Sequence, residues 1–222
     1  MRLTHFAFDK SFEWEGQNVC SLIIENPIFY RNAIKSIQEQ STLGVGEFVL
    51  SDNDCIVPFE RNVELISDVF NIDPCANKTI INGIIKDSVE LFTHQYPDRL
   101  AEVYMNINTL LSDVCFHSAS ELTFDEINDV SVLLKAYHLR PDIEGLSLAE
   151  RLLLYMELCQ KYTKKKLFVT VNLRACLSDV EAENLYKDLI YRKLNLLSIE
   201  CMNSKKLDCE QRKILDIDMC EI

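Results

Sequence analysis

Near-continuous apolar runs close to both ends of the chain constrain its fold more than any other feature of the sequence. The runs at 19–24, 167–172 and 196–201 consist mostly of apolar residues, and a further run at 213–219 alternates with charged residues. Runs of this kind are typical of strands buried on both faces of a parallel or mixed sheet. The sequence therefore predicts such strands at both ends of the chain, the last of them nearer to a sheet edge.

Helix and turn signals frame these strands. Asn26 is a good N-cap and Pro27 a good first helical residue, so a helix should follow the first run. Two β-hairpins are expected before residue 60, one turning near 9–10 and one on 51–54.

The middle of the chain has a different pattern. From about 60 to 160, apolar residues recur every three or four positions, as in amphipathic helices, and the stretch 63–70 is interpreted as the first of them. The sequence thus predicts an α/β domain of residues 1–59 and 160–222, interrupted by an all-helical domain of residues 60–159.

Composition narrows the class of protein. Of the 222 residues, 48% are apolar, which is typical of a globular chain, and no apolar run approaches the length of a membrane span or a signal peptide. The nine cysteines are odd in number and lack Cys-x-x-Cys spacing, so reduced thiols in a cytoplasmic protein are expected. A formal net charge of −12 argues against general nucleic-acid binding, so any DNA contact must use a local basic surface.

The first strand-to-helix junction lacks the residues of a phosphate-binding loop. Residues 24–27 contain no glycine and no lysine, and Glu25 would repel phosphate. The run at 167–172 ends in Asn172, where a Mg²⁺-binding site would need an aspartate. Gly44-Val45-Gly46 is typical of a turn, and the four histidines lack metal-site spacing. The sequence therefore predicts no phosphoryl-transfer enzyme.

An acidic cluster at Glu121, Asp125 and Glu126 has two interpretations. Thr123 and Glu126 fit a helix capping box, in which the carboxylates would favour the positive end of the helix dipole. The same oxygens could instead bind a hard cation such as Ca²⁺. Two further capping boxes are predicted at Ser147–Glu150 and Ser178–Glu181.

Basic residues form small clusters at 161–166, 192–193 and 205–206 and around Lys135 and Arg140. Each cluster alone is typical of a solvated face. A shared basic surface would need several of them to meet in space.

In its order of elements, the chain resembles the small ring-forming accessory proteins of type II-A CRISPR adaptation. The resemblance rests on the hairpin, the run ending at Glu25-Asn26, the second hairpin, the helical middle with its acidic cluster, the Lys135 to Arg140 segment, and the strand that ends in Asn172 after a lysine run. It implies a degenerate P-loop-NTPase-like head domain with an inserted all-helical leg domain and no enzymatic activity.

The resemblance also implies a function. Members of this family bind the ends of double-stranded DNA without sequence preference, as homotetrameric rings supported by Ca²⁺. They act beside the CRISPR integrase pair and the RNA-guided effector nuclease during spacer acquisition, away from membranes. Two alternatives remain open: a helical protein-interaction module without DNA binding, and a nucleotide-dependent enzyme on a P-loop-like fold.

Site residues follow by position in this sequence. Relatives tend to have further carboxylates where Thr123 and Asn26 stand here, so charge is lost, although both side chains can still offer an oxygen. The calcium ligands implied are Glu25, Glu121, Asp125 and Glu126, and the DNA-binding residues implied are Lys135 and Arg140, with Arg61, Lys164, Lys165 and Lys166 as weaker matches.

Overall fold

The computed structural model describes residues 1–15, 19–126 and 128–222. Its contacts divide the chain into two compact units. The first, Met1–Asp73 with Ile143–Ile222, is called the α/β unit, and the second, Pro74–Asp142, is called the helical unit. The helical unit is shorter at both ends than the expected 60–159, because the residues flanking it form a strand and a helix of the α/β unit.

Strands and helices alternate in the α/β unit. Its helices are α1 (Pro27–Leu43), α2 (Phe59–Asn62), α6 (Leu148–Leu158) and α7 (Asp179–Tyr191). Its strands are β1 (Arg2–Thr4), β2 (Phe12–Glu13), β3 (Val19–Ile24), β4 (Val49–Asp52), β5 (Cys55–Ile56), β6 (Val63–Ile66), β7 (Leu167–Val171), β8 (Asn195–Glu200) and β9 (Glu210–Leu215).

A parallel five-stranded sheet forms the centre of this unit. Its order is β6-β7-β8-β3-β9, and each neighbouring pair is parallel. Every residue of β3 is buried, as are nearly all residues of β7 and β8, which explains their apolar sequences. The predicted α/β class with buried strands is thus confirmed, and β9 is an edge strand as expected, although it begins earlier than 213.

A smaller antiparallel sheet, in the order β2-β1-β4-β5, is built from the two expected hairpins. The second hairpin turns on Asn53 and Asp54, whose φ angles of 49° and 59° are left-handed. Phe12 and Trp14 are buried in the core that the two sheets share. The Trp14 indole N–H donates to the carbonyl oxygen of Leu196 in β8 at 3.1 Å, which ties the hairpin to the central sheet.

Strand β6 corrects the helical interpretation of 63–70. Val63 and Ile66 are buried and pair with Leu167 and Thr170 of β7. Their spacing also fits one face of a helix, and a short apolar run does not distinguish the two structures by periodicity alone.

The helical unit contains α3 (Lys78–Gln95), α4 (Pro97–His117) and α5 (Val130–Ala136) after a 3₁₀ turn at Pro74–Ala76. Side chains of Asn77 and Asp129 cap α3 and α5. Helix α3 packs against both α4 and α5. Across the described ranges, no helix is both long and apolar enough to cross a membrane. The same ranges include all nine cysteines, which form no disulfide.

Candidate functional site

The junction between β3 and α1 uses its own side chains to cap the helix. Asn26 Oδ1 accepts hydrogen bonds from the backbone N–H groups of Ile28 and Phe29, each at 3.0 Å. Pro27 occupies the first helical position and has no N–H. The helix N-terminus that would hold a phosphate in a nucleotide-binding protein is therefore bonded to Asn26.

The turn that follows β9 covers the same junction. Asn26 Nδ2 donates to the carbonyl oxygen of Ile217 at 2.8 Å, and the Glu25 N–H donates to that of Leu215 at 2.9 Å. Asp216 Oδ1 holds the turn by accepting from the Cys220 N–H at 2.8 Å. Both polar ends of the Asn26 side chain are thus engaged within the chain, so Asn26 does not have the spare oxygen expected of it as a cation ligand.

Side chains at the ends of β7 and β8 also bind the chain itself. Asn172 has a left-handed backbone, with φ 53°, and its Oδ1 accepts from the Cys201 N–H at 3.1 Å. Glu200 is buried, and its Oε1 accepts from the Ser198 hydroxyl at 2.5 Å and from the Arg174 N–H at 3.1 Å. Burial raises the pKa of the Glu200 carboxyl despite these hydrogen bonds. The hydrogen bonds of Asn172 and Glu200 thus connect the carboxyl ends of β7 and β8.

The residues implied as calcium ligands belong to different units. Glu25 lies in the α/β unit, whereas Glu121, Asp125 and Glu126 lie in the helical unit, and all four are exposed. Within the described residues of either unit, no group of three His, Cys, Asp or Glu residues is close enough to hold a metal ion. The donor chemistry of three carboxylates within six residues nevertheless suits a hard cation.

The capping-box interpretation of the acidic cluster is wrong. Residues 121–126 are irregular, and the next helix begins at Val130. Its cap is Asp129, whose Oδ1 accepts from the Ser131 N–H at 2.8 Å. Hydrogen bonds from Ser131 lower the pKa of Asp129, with a smaller contribution from the positive charge of Lys135. The other two predicted boxes, at Ser147 and Ser178, are both formed.

The basic residues implied in DNA binding are also divided. Lys135 lies in the last turn of α5 and Arg140 lies shortly after it, and both are exposed in the helical unit. Arg61 lies in α2 of the α/β unit, with 82% of its side chain exposed and its Nε 3.9 Å from Glu60. All three side chains are exposed, so each of them is accessible to a phosphate group.

The three consecutive lysines before β7 have unequal surroundings. Lys165 Nζ donates to the carbonyl oxygens of Glu60 at 2.9 Å and Val63 at 2.7 Å. Lys166 Nζ pairs with Asp52 at 2.7 Å, whereas Lys164 Nζ donates to the carbonyl oxygen of Lys161 at 2.9 Å. Hydrogen bonding to Lys166 is the main cause of the lowered pKa of Asp52.

These lysines surround a cavity of about 350 Å³, which is called the basic pocket. Sequence reasoning missed the other four of its lining residues, because no motif in the sequence links them to the lysine run. The lining residues are Asp52, Gln160, Lys164, Lys165, Lys166 and Asn195, with Met1.

A second cavity, of about 440 Å³, lies within the helical unit and is called the apolar pocket. It is formed where α3, α4 and α5 meet, and its surface is mainly apolar. Arg99 contributes the one charged side chain of the lining that is described, and the apolar contributors include Phe92, Leu100, Val103, Leu133 and Leu134.

Comparison with known proteins gives the family of the chain. Two solved structures are similar to this chain. One is a putative ABC transporter (ATP-binding protein) from Pyrococcus furiosus, with 13% sequence identity, 92% of both chains covered and a TM-score of 0.37. The other is an ATP-binding cassette of an ABC transporter in its ADP conformation, with 14% sequence identity, 91% of this chain and 81% of that chain covered, and a TM-score of 0.42. At such TM-scores neither likeness bears on function. Comparison with curated proteins gave no match. A family profile described as "CRISPR-associated protein (Cas_Csn2)" matches residues 41–219. That span is well over half of the chain and agrees with the resemblance read from the order of elements, so the protein belongs to the Cas_Csn2 family of type II-A CRISPR-associated proteins.

Proposed function

We propose that this CRISPR-associated protein binds the ends of double-stranded DNA as a homotetrameric ring during spacer acquisition. Membership of the Cas_Csn2 family is the observation that carries the proposal. In this role the protein works in the cytoplasm beside the CRISPR integrase pair and the RNA-guided effector nuclease, as a DNA-binding protein and not as an enzyme.

The β3–α1 junction supports the non-enzymatic part of the proposal. A phosphate-binding loop needs backbone N–H groups that point at the ligand and a lysine that neutralises its charge. At this junction Asn26 accepts from two of those N–H groups, Pro27 has none, and Glu25 adds a negative charge. Nucleotide phosphates would therefore meet repulsion and few donors at the place where a P-loop protein binds them.

Charge distribution supports DNA contact through a restricted surface. The net charge of −12 repels DNA from most of the molecule, so binding depends on locally exposed cations. Lys135 and Arg140 in the helical unit are exposed and close in sequence. Contacts from such side chains to phosphate are independent of base sequence and weaken as salt is raised.

Calcium is proposed to support the ring through Glu25, Glu121, Asp125 and Glu126. The irregular backbone at 121–126 leaves these carboxylates unused by any helix cap, which favours the cation interpretation over the capping box. Bound calcium would also neutralise part of the acidic excess.

The apolar pocket favours the alternative function, a helical module that binds another protein. Cavities of this size with mainly apolar lining commonly accept an apolar side chain or ligand. This alternative requires no affinity for DNA, so one experiment separates the two functions.

The test is size-exclusion chromatography with light scattering, in calcium and then in excess chelator, with linear or closed circular duplex added to each. We expect a calcium-supported tetramer that shifts with linear duplex only. A monomer indifferent to both calcium and DNA would contradict the proposal and leave the protein-binding module. Saturable ATP binding in a parallel titration would instead revive the nucleotide-dependent enzyme.

A further inference from the structure

The side chains of α3, α4 and α5 leave the apolar pocket between them unfilled. Its walls come from Phe92 near the end of α3, from Leu100 and Val103 on α4, and from Leu133 and Leu134 on α5. The volume of about 440 Å³ lies within the range of about 300–1,000 Å³ that is typical of small-molecule sites. An unfilled cavity with such walls lowers the stability of a fold, because the lining side chains lose packing contacts.

Three polar side chains join this apolar lining. Tyr96, at the corner between α3 and α4, and Tyr137, at the end of α5, are 42% and 85% exposed. Arg99, in the first turn of α4, is exposed as well. Ligand pockets commonly combine apolar walls with a few polar groups that fix the orientation of the ligand. The apolar pocket has this composition.

Arg99 is available to an anion. Its Cζ lies 6.0 Å from the centre of the Tyr96 ring, a cation–π contact that holds the guanidinium beside the pocket. In the part of the chain that the structure describes, no acidic side chain forms an ion pair with it. The N–H groups of a guanidinium match a carboxylate with two parallel hydrogen bonds. Arg99 therefore supplies a free positive charge to a site with apolar walls.

The start of α4 adds to this positive charge. Arg99 and Leu100 lie in its first turn, so this side of the pocket is close to the positive end of the helix dipole. Tyr96 occupies the N-cap position, and within the described residues its side chain forms no capping hydrogen bond. Asp98 is the acidic residue of the same turn, but it does not belong to the described lining. The surroundings thus favour one negative charge at this side of the pocket.

We propose that the apolar pocket binds an amphipathic monocarboxylate, such as a fatty acid of medium chain length. The carboxylate pairs with Arg99, and the hydrocarbon chain lies against the apolar side chains of α4 and α5. The one described cation of the lining matches one negative charge, whereas a doubly charged phosphate would need further donors. The proposal goes beyond DNA-end binding and does not depend on it, because the residues used here are separate from those implied in contacts with DNA or calcium.

The test is isothermal titration calorimetry of the full chain with three probes that share one hydrocarbon chain: decanoate, 1-decanol and decyltrimethylammonium. All are kept below the concentrations at which they aggregate. We expect decanoate to bind at one site per chain and about tenfold more tightly than decanol, since the carboxylate adds charge-assisted hydrogen bonds. The cationic probe should bind more weakly than either.

The variant Arg99→Met keeps a long apolar side chain and removes the charge. It should lower the affinity for decanoate to that for decanol, and leave the affinity for decanol unchanged. The matched control Lys86→Met removes an exposed positive charge from α3, outside the described lining, and should keep wild-type affinities. Both positions are exposed, so both variants should fold, which thermal melting followed by circular dichroism verifies.

The variant Val103→Phe tests the cavity itself. It places a larger side chain on the pocket wall from a position on α4 that is 43% exposed, so the helix can accommodate it. Because the ring occupies part of the cavity, the affinities for decanoate and for decanol should both fall. Calorimetry with the same probes measures the change.

Three results would overturn the proposal. If decanoate does not bind, or binds no more tightly than decanol, Arg99 does not select the ligand. If Arg99→Met and Lys86→Met lower the affinity equally, the attraction is a general effect of charge. If Val103→Phe lowers the mass measured by light scattering and leaves decanoate binding unchanged, a second copy of the chain occupies the pocket. None of these results bears on DNA-end binding, which is measured separately with duplex.

Discussion

Lys165 brings a positive charge into a largely enclosed position. Its Nζ donates to two backbone carbonyl oxygens and lies 3.5 Å from Glu64 Oε2, while the Tyr155 hydroxyl donates to Glu64 Oε1 at 2.7 Å. Its neighbours Lys164 and Lys166 are more exposed. A run of identical residues gave no sign of this division in the sequence, because it depends on where strand β6 and helix α6 lie in space.

Replacing Lys165 with methionine should therefore lower stability. Two carbonyl oxygens would lose their donor and Glu64 its cation, which we expect to reduce the free energy of unfolding by about 1–3 kcal/mol. Urea unfolding followed by circular dichroism measures the change. The control Lys187→Met removes an exposed lysine and should have little effect. Equal stability of wild type and Lys165→Met would show that these internal contacts are unimportant.

His5 should make stability depend on pH. It is buried among aromatic rings, its Nδ1 accepts from the Ala7 N–H at 3.2 Å, and its Nε2 lies 3.5 Å from Glu47. Burial lowers the pKa of His5 below 6.5, although Glu47 opposes the shift. The unfolded chain then binds a proton more readily than the folded one, so this contribution to stability is present above pH 6.5 and is lost as the pH falls below it.

The measurement is the free energy of unfolding at several pH values on either side of 6.5, for wild type and His5→Phe. Phenylalanine suits the aromatic surroundings and does not titrate. We expect a smaller fall in stability with acid for the variant. Parallel curves for the two proteins would exclude His5 as the cause.

At the scale of elements, the sequence predicted strands best where they are buried on both faces. Strands β3, β7 and β8 are central, so most of their positions are apolar and the pattern has few alternatives. Strand β6 is a short edge strand, and its apolar spacing fits a helix equally well. The Thr123 box failed for a related reason: a local motif was present, but the helix of this region begins at Val130 behind Asp129.

Helix α1 depends on one cap at its start. Asn26→Ala removes the acceptor of two N–H groups and the hydrogen bond to Ile217, so we expect the free energy of unfolding to fall by about 1 kcal/mol or slightly more. The matched control is Ser178→Ala, which removes the N-cap of α7. The loss of unfolding free energy in this control gives the cost of removing a helix cap by itself. A variant Asn26→Ala as stable as wild type would show that water replaces the cap without loss.

At the scale of the whole molecule, the sequence predicted an α/β class and its family but not the spatial order of the strands. The order β6-β7-β8-β3-β9 places β3, the first of these strands in the sequence, between β8 and β9, the last two. Nothing in the apolar runs records that order. The same limit applies to the site residues: the resemblance groups Glu25 with Glu121, but the two residues lie in different units.

Reversing two positive charges in the helical unit tests the proposed DNA contact. The variant Lys135→Glu/Arg140→Glu should weaken binding to linear duplex by tenfold or more at moderate salt, because two attractive phosphate contacts become repulsive. Both residues are exposed, so the tetramer should persist in light scattering. Unchanged affinity with an intact tetramer would remove these two residues from the DNA surface.

Removing two acidic side chains tests the proposed calcium contact. If the proposed calcium-supported tetramer forms, the variant Asp125→Ala/Glu126→Ala should shift it toward smaller species, since a hard cation would lose two carboxylate ligands. Light scattering at several calcium concentrations measures the shift. Asp98→Ala/Glu102→Ala on α4 removes the same charge elsewhere in the helical unit as a control. A tetramer with the calcium dependence of wild type would exclude this cluster as the cation site.

Trp14 gives the two units separate optical signals. It is the single tryptophan of the chain, and its indole is fixed between the hairpin and β8 of the α/β unit. Its fluorescence emission therefore reports the unfolding of that unit but not the unfolding of Pro74–Asp142, whereas far-ultraviolet circular dichroism measures the helices of both units. If helicity is lost on heating before the emission changes, the helical unit has melted first, and the difference can be read without adding a label.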